Sequence, residues 1–391
     1  MTSTGEPGRA DAAASWLRTF GRPPRIMGLD VARAVAILGM IGAHLGDVPD
    51  AFRPDDPDSW GSVVHGHPSV LFAVLAGVSV ALMTGGPAGP APERLPSLRL
   101  GLVGRGATIF TIGLLLELLN TPIAVILTLY GVLYVALIPV LRWRTGSLFA
   151  AAAVLALAGP VVTALIGVLA LGPSGQAAGF VLYGSYPLTV WLAYALAGMA
   201  LGRLGMDRAA TAWWMLAGGV LFALAGHGLG AIGRMLGVAE DDARPPVDAA
   251  FRASGWEGWL DAVQAADPGR VALAALLSVD PHSGGTADIL AAAGIAAAVI
   301  GLCLRAAQPL RLLLLPFAAL GSMPLSAYTL HVISYVLMAG PGGFLRDNGI
   351  WLVSALVLLL GATLWSILSG RGPLERLTAA VARAAASVPT R

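Results

Sequence analysis

The 391-residue sequence has no lysine, a single cysteine and few charges of any kind, with Asp, Glu and Arg together making up 12% of the chain. All 24 basic residues are therefore arginine, and the net charge is +2. The lone Cys303 excludes a disulfide framework and, lying in an apolar run, reads as a small filler. Charges this sparse exclude an ordinary soluble domain, in which they approach about a quarter of the residues. With no basic stripe on any segment, no nucleic-acid partner is expected. P-loop, HExxH and paired CxxC motifs are missing, His65 and His67 form an isolated H-x-H, and no metal is expected. The first 26 residues carry Arg9, Arg18, Arg22 and Arg25 but no apolar core. A cleavable signal peptide is therefore not expected there.

What the chain has in abundance is apolar length. Hydrophobic residues make up 57% of it, and the mean hydropathy is +0.77. Apolar stretches of about 20 residues, enough to cross a hydrocarbon core about 30 Å thick, recur from end to end. Spans are expected near 27–47, 68–84, 100–119, 122–141, 148–171, 181–203, 211–234, 287–304, 312–338 and 349–369. The expected fold class is thus all-α, a polytopic transmembrane helical bundle of about ten spans in contact with membrane lipid. A bacterial cytoplasmic (inner) membrane is the expected location.

The connecting charges set the expected orientation, because cytoplasmic loops collect Lys and Arg. Arg94 and Arg99, Arg142 and Arg144, Arg208, Arg305 and Arg311, and the tail residues Arg371, Arg376, Arg383 and Arg391 all follow an even number of crossings. The opposite set is acidic: Asp50, Asp55, Asp56 and Asp58 in one connection; Glu240, Asp241, Asp242, Asp248, Glu257, Asp261 and Asp267 in another. This alternation predicts N-in and C-in topology, with a cytoplasmic basic arm at 1–26, a membrane domain at 27–370, an extracytoplasmic loop at 235–286 and a cytoplasmic basic tail at 371–391. Trp256 and Trp259 suit a short amphipathic helix lying on the outer surface within that loop.

Ionisable groups inside spans cost a few kcal/mol each, about 2.5–3.5 by insertion scales, and so mark candidate sites. Asp30 and Arg33 share one face of the first span and can pair. By the expected topology all six histidines, His44, His65, His67, His227, His282 and His331, fall in the outer half, joined by Glu117, Tyr186 and Asp58. Any one histidine reads readily as a structural hydrogen-bonding group. As a layer, imidazoles beside a carboxylate suit proton transfer near neutral pH. The inner half instead carries Arg33, Arg99 and Arg105, whose planar donors suit phosphates; ordinary positive-inside bias accounts for them equally well. Gly198 and Gly202 make a G-x-x-x-G, a spacing that mostly packs helices within one chain.

The stretch RIMGLDVARAVAILGMIGAH (25–44), followed by LFAVLAGVSVALMTGG (71–86), resembles the membrane acyltransferases grouped with heparan-alpha-glucosaminide N-acetyltransferase and the bacterial YeiB-like proteins. Arg25, Leu29, Asp30, Arg33 and Ala36 match an R-x-x-x-L-D-x-x-R-G-x-A helix, and Phe72, Gly77 and Ser79 match an F-x-x-x-x-G-x-S helix. YGSYPLTVWLAYALAGMALGRL (183–204), PHSGGTADILAAAGIA (281–296) and GSMPLSAYTLHV (321–332) resemble later blocks of such proteins. Two departures stand out: Ala34 replaces the motif glycine, and alignment on Trp60 and Gly77 puts the family's catalytic histidine near Asp56 or Pro57.

The resemblance implies transfer of an acyl group, in the first instance acetyl, from cytosolic acyl-CoA (acetyl-CoA) to a hydroxyl or amine acceptor reached from the outer side. The acceptor class stays open between a small molecule, a glycan and a lipid, and a homodimer is compatible with the family. On this reading His67 or His65 acts as general base or transient acyl carrier, with His331 and Glu117 lining the same chamber. Asp30, Arg33, Arg99 and Arg105 serve the donor, and His44, Tyr186, His282 and Asp58 the acceptor. Two other readings stand beside it: a proton-coupled transporter or exporter of a small metabolite, which the Pro-bearing ninth segment would allow to bend, and a structural membrane protein.

Overall fold

The computed structural model describes residues 9–49, 53, 55–171, 175–184, 186–238, 255–280 and 282–387. Asp50, Glu240, Asp241, Asp242, Asp248 and Arg391 lie outside the described residues. Regular structure among the described residues is helical. In chain order the helices are α1 (Arg9–Thr19), α2 (Met27–Leu45), α3 (His67–Met83), α4 (Leu95–Glu117), α5 (Leu127–Ala136), α6 (Thr145–Leu169), α7 (Gln176–Leu182) and α8 (Leu188–Gly202). They continue with α9 (Ala209–Met235), α10 (Gly255–Ala265), α11 (Pro268–Leu277), α12 (Thr286–Ala306), α13 (Arg311–Gly321), α14 (Pro324–Ala339), α15 (Asn348–Ser369) and α16 (Pro373–Ala386). A 3-10 turn, Pro57–Val64, leads into α3.

Each of the ten apolar segments contains a helix, but the helices differ in length. Among the described residues seven are long and apolar enough to cross a membrane: α2, α3 with its leading turn, α4, α6, α9, α12 and α15. An eighth crossing is the broken pair α13 and α14, which bend by 70° at Ser322–Met323, just ahead of Pro324. α5 and α8 have only 10 and 15 residues, or about 15 and 22 Å of rise at 1.5 Å per residue. By length the count is therefore seven or eight, below the ten expected. Proline explains the trimming: Pro122 and Pro139 flank α5, and Pro187 sits at the N-cap of α8. A proline inside a helix forfeits one backbone hydrogen bond, a loss that α6 bears at Pro160 and α13 at Pro316, whereas α5 and α8 stop short of theirs.

The middle of the bundle is α2 and α3, each 72% buried, with α3 apolar on every side past His67. A helix apolar all round belongs in a core or in lipid. The lipid case is α15, only 11% buried, with Leu352, Val353, Leu356, Val357, Leu360 and Leu364 all exposed. Small residues let the core helices approach to backbone contact. A Cβ on Gly77 of α3 would lie 2.0 Å from the Ala195 carbonyl oxygen of α8, and one on Gly198 of α8 would lie 2.0 Å from that of Val74. The G-x-x-x-G of α8 thus packs against α3 of the same chain. In the same way, a Cβ on Gly321, the last residue of α13, would lie 1.7 Å from the Asp30 carbonyl oxygen of α2.

Both ends are pinned to this core. Trp16 of α1 donates from Nε1 to Ser366 Oγ at 2.9 Å, and Arg311 donates to the carbonyls of Leu17 and Phe20. From α16, Glu375 accepts from the Leu325 and Ser326 amides at 2.7 and 3.2 Å, capping the first turn of α14. In the long connection α10 carries Trp256, fully in the open, and Trp259, whose Nε1 donates to the Leu169 carbonyl at 2.9 Å. α11 buries Val271 and Ala275 against Ala164 and Val168 of α6.

Candidate active site

At the end of α2 that carries His44, five segments meet. His44 is the last residue but one of α2, and His331 lies mid-way along α14. His44 Nδ1 and His331 Nε2 are 3.0 Å apart, a hydrogen bond whose donor depends on the tautomer, and the rings lie parallel within 5°. The loop between α2 and α3 brings in His65, directly after the 3-10 turn, and Gly66 then turns through φ +77° so that His67 can open α3 ahead of Pro68. His282 comes from the loop before α12 with φ +65°. A left-handed backbone is uncommon for a residue with a side chain, and such strain persists where the surroundings over-determine it. Tyr186 precedes α8, donates to the Ala124 carbonyl at 3.2 Å, and meets His282 edge-on with ring centroids 6.1 Å apart.

These segments enclose a cavity of about 240 Å³. His44, His65, His282 and Tyr186 line it, together with Ser69, Tyr328, Tyr335, Phe344 and Arg346. A smaller void of about 20 Å³ adjoins it, sharing Gly66 and His282, and is lined by His67, Tyr194 and Asp288. Polar atoms here are left over. His65 Nδ1 and His331 Nδ1 are buried with no hydrogen-bond partner among the described residues, whereas buried polar groups in proteins nearly always have one. Burial lowers the pKa of His282, with the charge of His65 adding to the effect, so the ring is neutral at pH 7.

The N-terminal end of α2 is the reverse case. Asp30, 5% exposed, accepts from Arg25 Nε at 2.6 Å and from an Arg33 terminal nitrogen at 2.7 Å. The other Arg33 terminal nitrogen donates to Ser79 Oγ at 2.9 Å, and Ser79 donates on to the Leu75 carbonyl. Both sequence motifs converge in this knot: Arg25, Asp30 and Arg33 from the first, Ser79 from the second, with Gly77 at the close approach to α8.

The remaining expected site residues stand apart. Arg99 is exposed and Arg105 half-buried on α4. Glu117, exposed at the end of α4, accepts from Thr128 at 3.0 Å and is not among the cavity residues. Asp58 is exposed on the 3-10 turn, its amide held by Asp56; His227 is exposed on α9. Among the described residues no three His, Cys, Asp or Glu side chains gather in a way that would hold a metal ion. Sequence reading passed over Arg346, Tyr328, Tyr335 and Asp288. Arg346 carried a usable signal, as an arginine in a connection expected to face outward.

The sequence model of the heparan-alpha-glucosaminide N-acetyltransferase catalytic domain matches residues 25–231, more than half of the chain and starting at Arg25 of the knot. The chain belongs to this family. Its function is accordingly of the membrane acetyltransferase type, in a multi-pass helical protein. No curated protein matches the chain. His44, His65, His67 and Tyr186 fall within the family match, whereas His282, His331 and Arg346 lie beyond it.

Proposed function

We propose that the protein transfers an acyl group, acetyl in the first instance, from cytosolic acyl-CoA to a hydroxyl or amine acceptor that enters the histidine-lined cavity from the outer face of a bacterial cytoplasmic membrane. The observation that carries this reading is the His44–His331 pair on the wall of a cavity shared with His65, His282 and Tyr186. With Nδ1 taken up by His331, His44 keeps Nε2 for chemistry. His44 Nε2 takes the proton from the acceptor as its oxygen or nitrogen attacks the thioester carbonyl. His331 accepts the Nδ1–H and holds the imidazolium, the orienting part that a third group plays in a catalytic triad. As the carbon–sulfur bond breaks, His44 returns the proton to the departing thiolate, so atoms and charge balance. His65 is the second imidazole within the same cavity and His67 stands beside it, each a further candidate for proton transfer.

On the donor side, Arg25 and Arg33 are engaged by Asp30 and Ser79. The arginines of α4, Arg99 and Arg105, fit the phosphates better, because their donors are not drawn into that knot. With the N-in and C-in orientation that this reading takes from the loop arginines, they stand at the cytosolic end. A transporter would move its cargo without a donor, and no observation favours that reading.

The test is acyl-CoA turnover, read as free thiol and as acylated acceptor, with purified protein in nanodiscs. His44→Ala is expected to lower turnover by roughly 10²–10⁴-fold, the range of a lost general base, with His65→Ala and His67→Ala run alongside. Full turnover by His44→Ala sinks the assignment of the base.

A further inference from the structure

The cavity differs from its surroundings in charge. Among the described residues no carboxylate lines it, and the one permanently charged lining side chain is Arg346. Arg346 is exposed, at the mouth of the cavity, and its guanidinium lies 5.1 Å from the centroid of the exposed Phe344 ring, a contact that leaves its charge unneutralised. The ion pairs among the described residues are Arg25–Asp30, Arg33–Asp30 and Arg53–Asp56, and Arg346 belongs to none. Its nearest acid in sequence, Asp347, is engaged elsewhere: the side chain caps α15 through the Ile350 amide at 2.8 Å. The Asp347 amide donates to the Leu45 carbonyl at 2.6 Å, which ties the loop bearing Arg346 to the end of α2 one residue past His44. Across the same cavity, His65 Nδ1 is buried without a partner among the described residues.

We propose that this site selects an acceptor bearing an anionic oxygen group, a carboxylate or a phosphate, which Arg346 engages so that the neighbouring hydroxyl or amine reaches His44. A guanidinium matches either oxyanion with two parallel donors. A cavity of about 240 Å³, open on one side, takes the reacting end of an acceptor. The charge logic discriminates against amine acceptors that carry only positive charge, because Arg346 repels them.

The proposal rests on the acyl-transfer reading for its name of acceptor, but its anion site can be measured without turnover. Full-length protein in nanodiscs would be given acetyl-CoA with glycerol, glycerol 3-phosphate or glycerate, three acceptors alike in hydroxyl chemistry and unlike in charge. Expected is a kcat/KM at least tenfold higher for the anionic acceptors, with the anionic-to-neutral ratio falling about tenfold in Arg346→Gln through KM, and partly kept in Arg346→Lys. A ratio near one in the unaltered protein, a ratio unmoved by Arg346→Gln, or a shift confined to the KM of acetyl-CoA overturns it. Calorimetric titration of glycerol 3-phosphate and glycerate without donor reads the site alone. A Kd raised about tenfold in Arg346→Gln upholds the anion site even if no acyl transfer is seen, in which case only the transferase reading fails. An unchanged Kd, or no binding to the unaltered protein, overturns the site. Competition by phosphatidylglycerol in the nanodisc assigns the anion to a lipid headgroup, and its absence to a soluble acceptor; either upholds the site.

Discussion

The two ends of α2 solve opposite problems with similar side chains. Fourteen residues apart in sequence, about 21 Å along the helix, lie a knot of charges in which Asp30 has both oxygens engaged and a nest of imidazoles in which ring nitrogens are left without partners. The knot is closed by arginines and a hydroxyl drawn from both family motifs, and it engages both terminal nitrogens of Arg33. The imidazole nest surrounds space. A satisfied buried network fixes one packing arrangement, whereas an unsatisfied one beside a cavity is where chemistry has room. The motifs that identify the family therefore hold the fold at one end of α2, and the cavity lies at the other.

That contrast can be broken in several places. The largest effect is expected at the knot: Asp30→Ala strands two guanidinium groups and should cost about 3–5 kcal/mol of stability, read as loss of folded protein in thermal unfolding. Were it to leave stability intact and abolish turnover, the inner end would be part of the reaction. Gly321→Ala forces a methyl against the Asp30 carbonyl and should cost about 1–3 kcal/mol through overpacking, with turnover per folded molecule unaffected. At the outer end the expectation reverses: His331→Gln should lower turnover about tenfold by losing the orientation of His44, worth about 1.4 kcal/mol in the barrier, with a smaller change in melting temperature. Equal turnover would remove His331 from the pair's function.

The smallest effect is a matter of pH. His282 has a pKa lowered by burial in the folded state, so the unfolded chain binds its proton more readily. Its contribution to stability is complete above the ordinary imidazole value of about 6.5 and drains away as pH falls below it, towards the folded pKa. Melting curves between pH 8 and 5 should slope less steeply for His282→Asn than for the unaltered chain. A steeper slope contradicts the burial of a neutral ring.

Much of this contrast was legible in advance, for physical reasons that differ by element. Apolar runs near the length of a bilayer core, and an Asp and Arg three apart on one helix, are local patterns, and helices occupy all ten segments. Histidines gathered toward one end follow from alternation of crossing direction, which the sequence carries in its arginines. The shortness of α5 and α8 was less legible, since Pro122, Pro139 and Pro187 cut the helices without interrupting the apolar run. The bond between His44 and His331 joins residues 287 apart, and no local period encodes it. Glu117 carried the same signal as the cavity residues, a charge near a span end, yet its face of α4 turns it towards Thr128. Arg346 went unread, a single arginine in a connection expected to face outward, with no motif around it.

The crossing of α3 and α8 bears on how the molecule moves. Where Gly77 and Gly198 bring two backbones into contact, neither helix can slip past the other by a turn without driving a carbonyl into a Cα, so the pair behaves as a fixed post. The 70° joint ahead of α14, the helix that carries His331, is held differently, by the Glu375 carboxylate on its first two free amides. One side chain there does what two backbones do at the crossing, so a change at Glu375 would loosen α14 alone, with the rest of the bundle standing still.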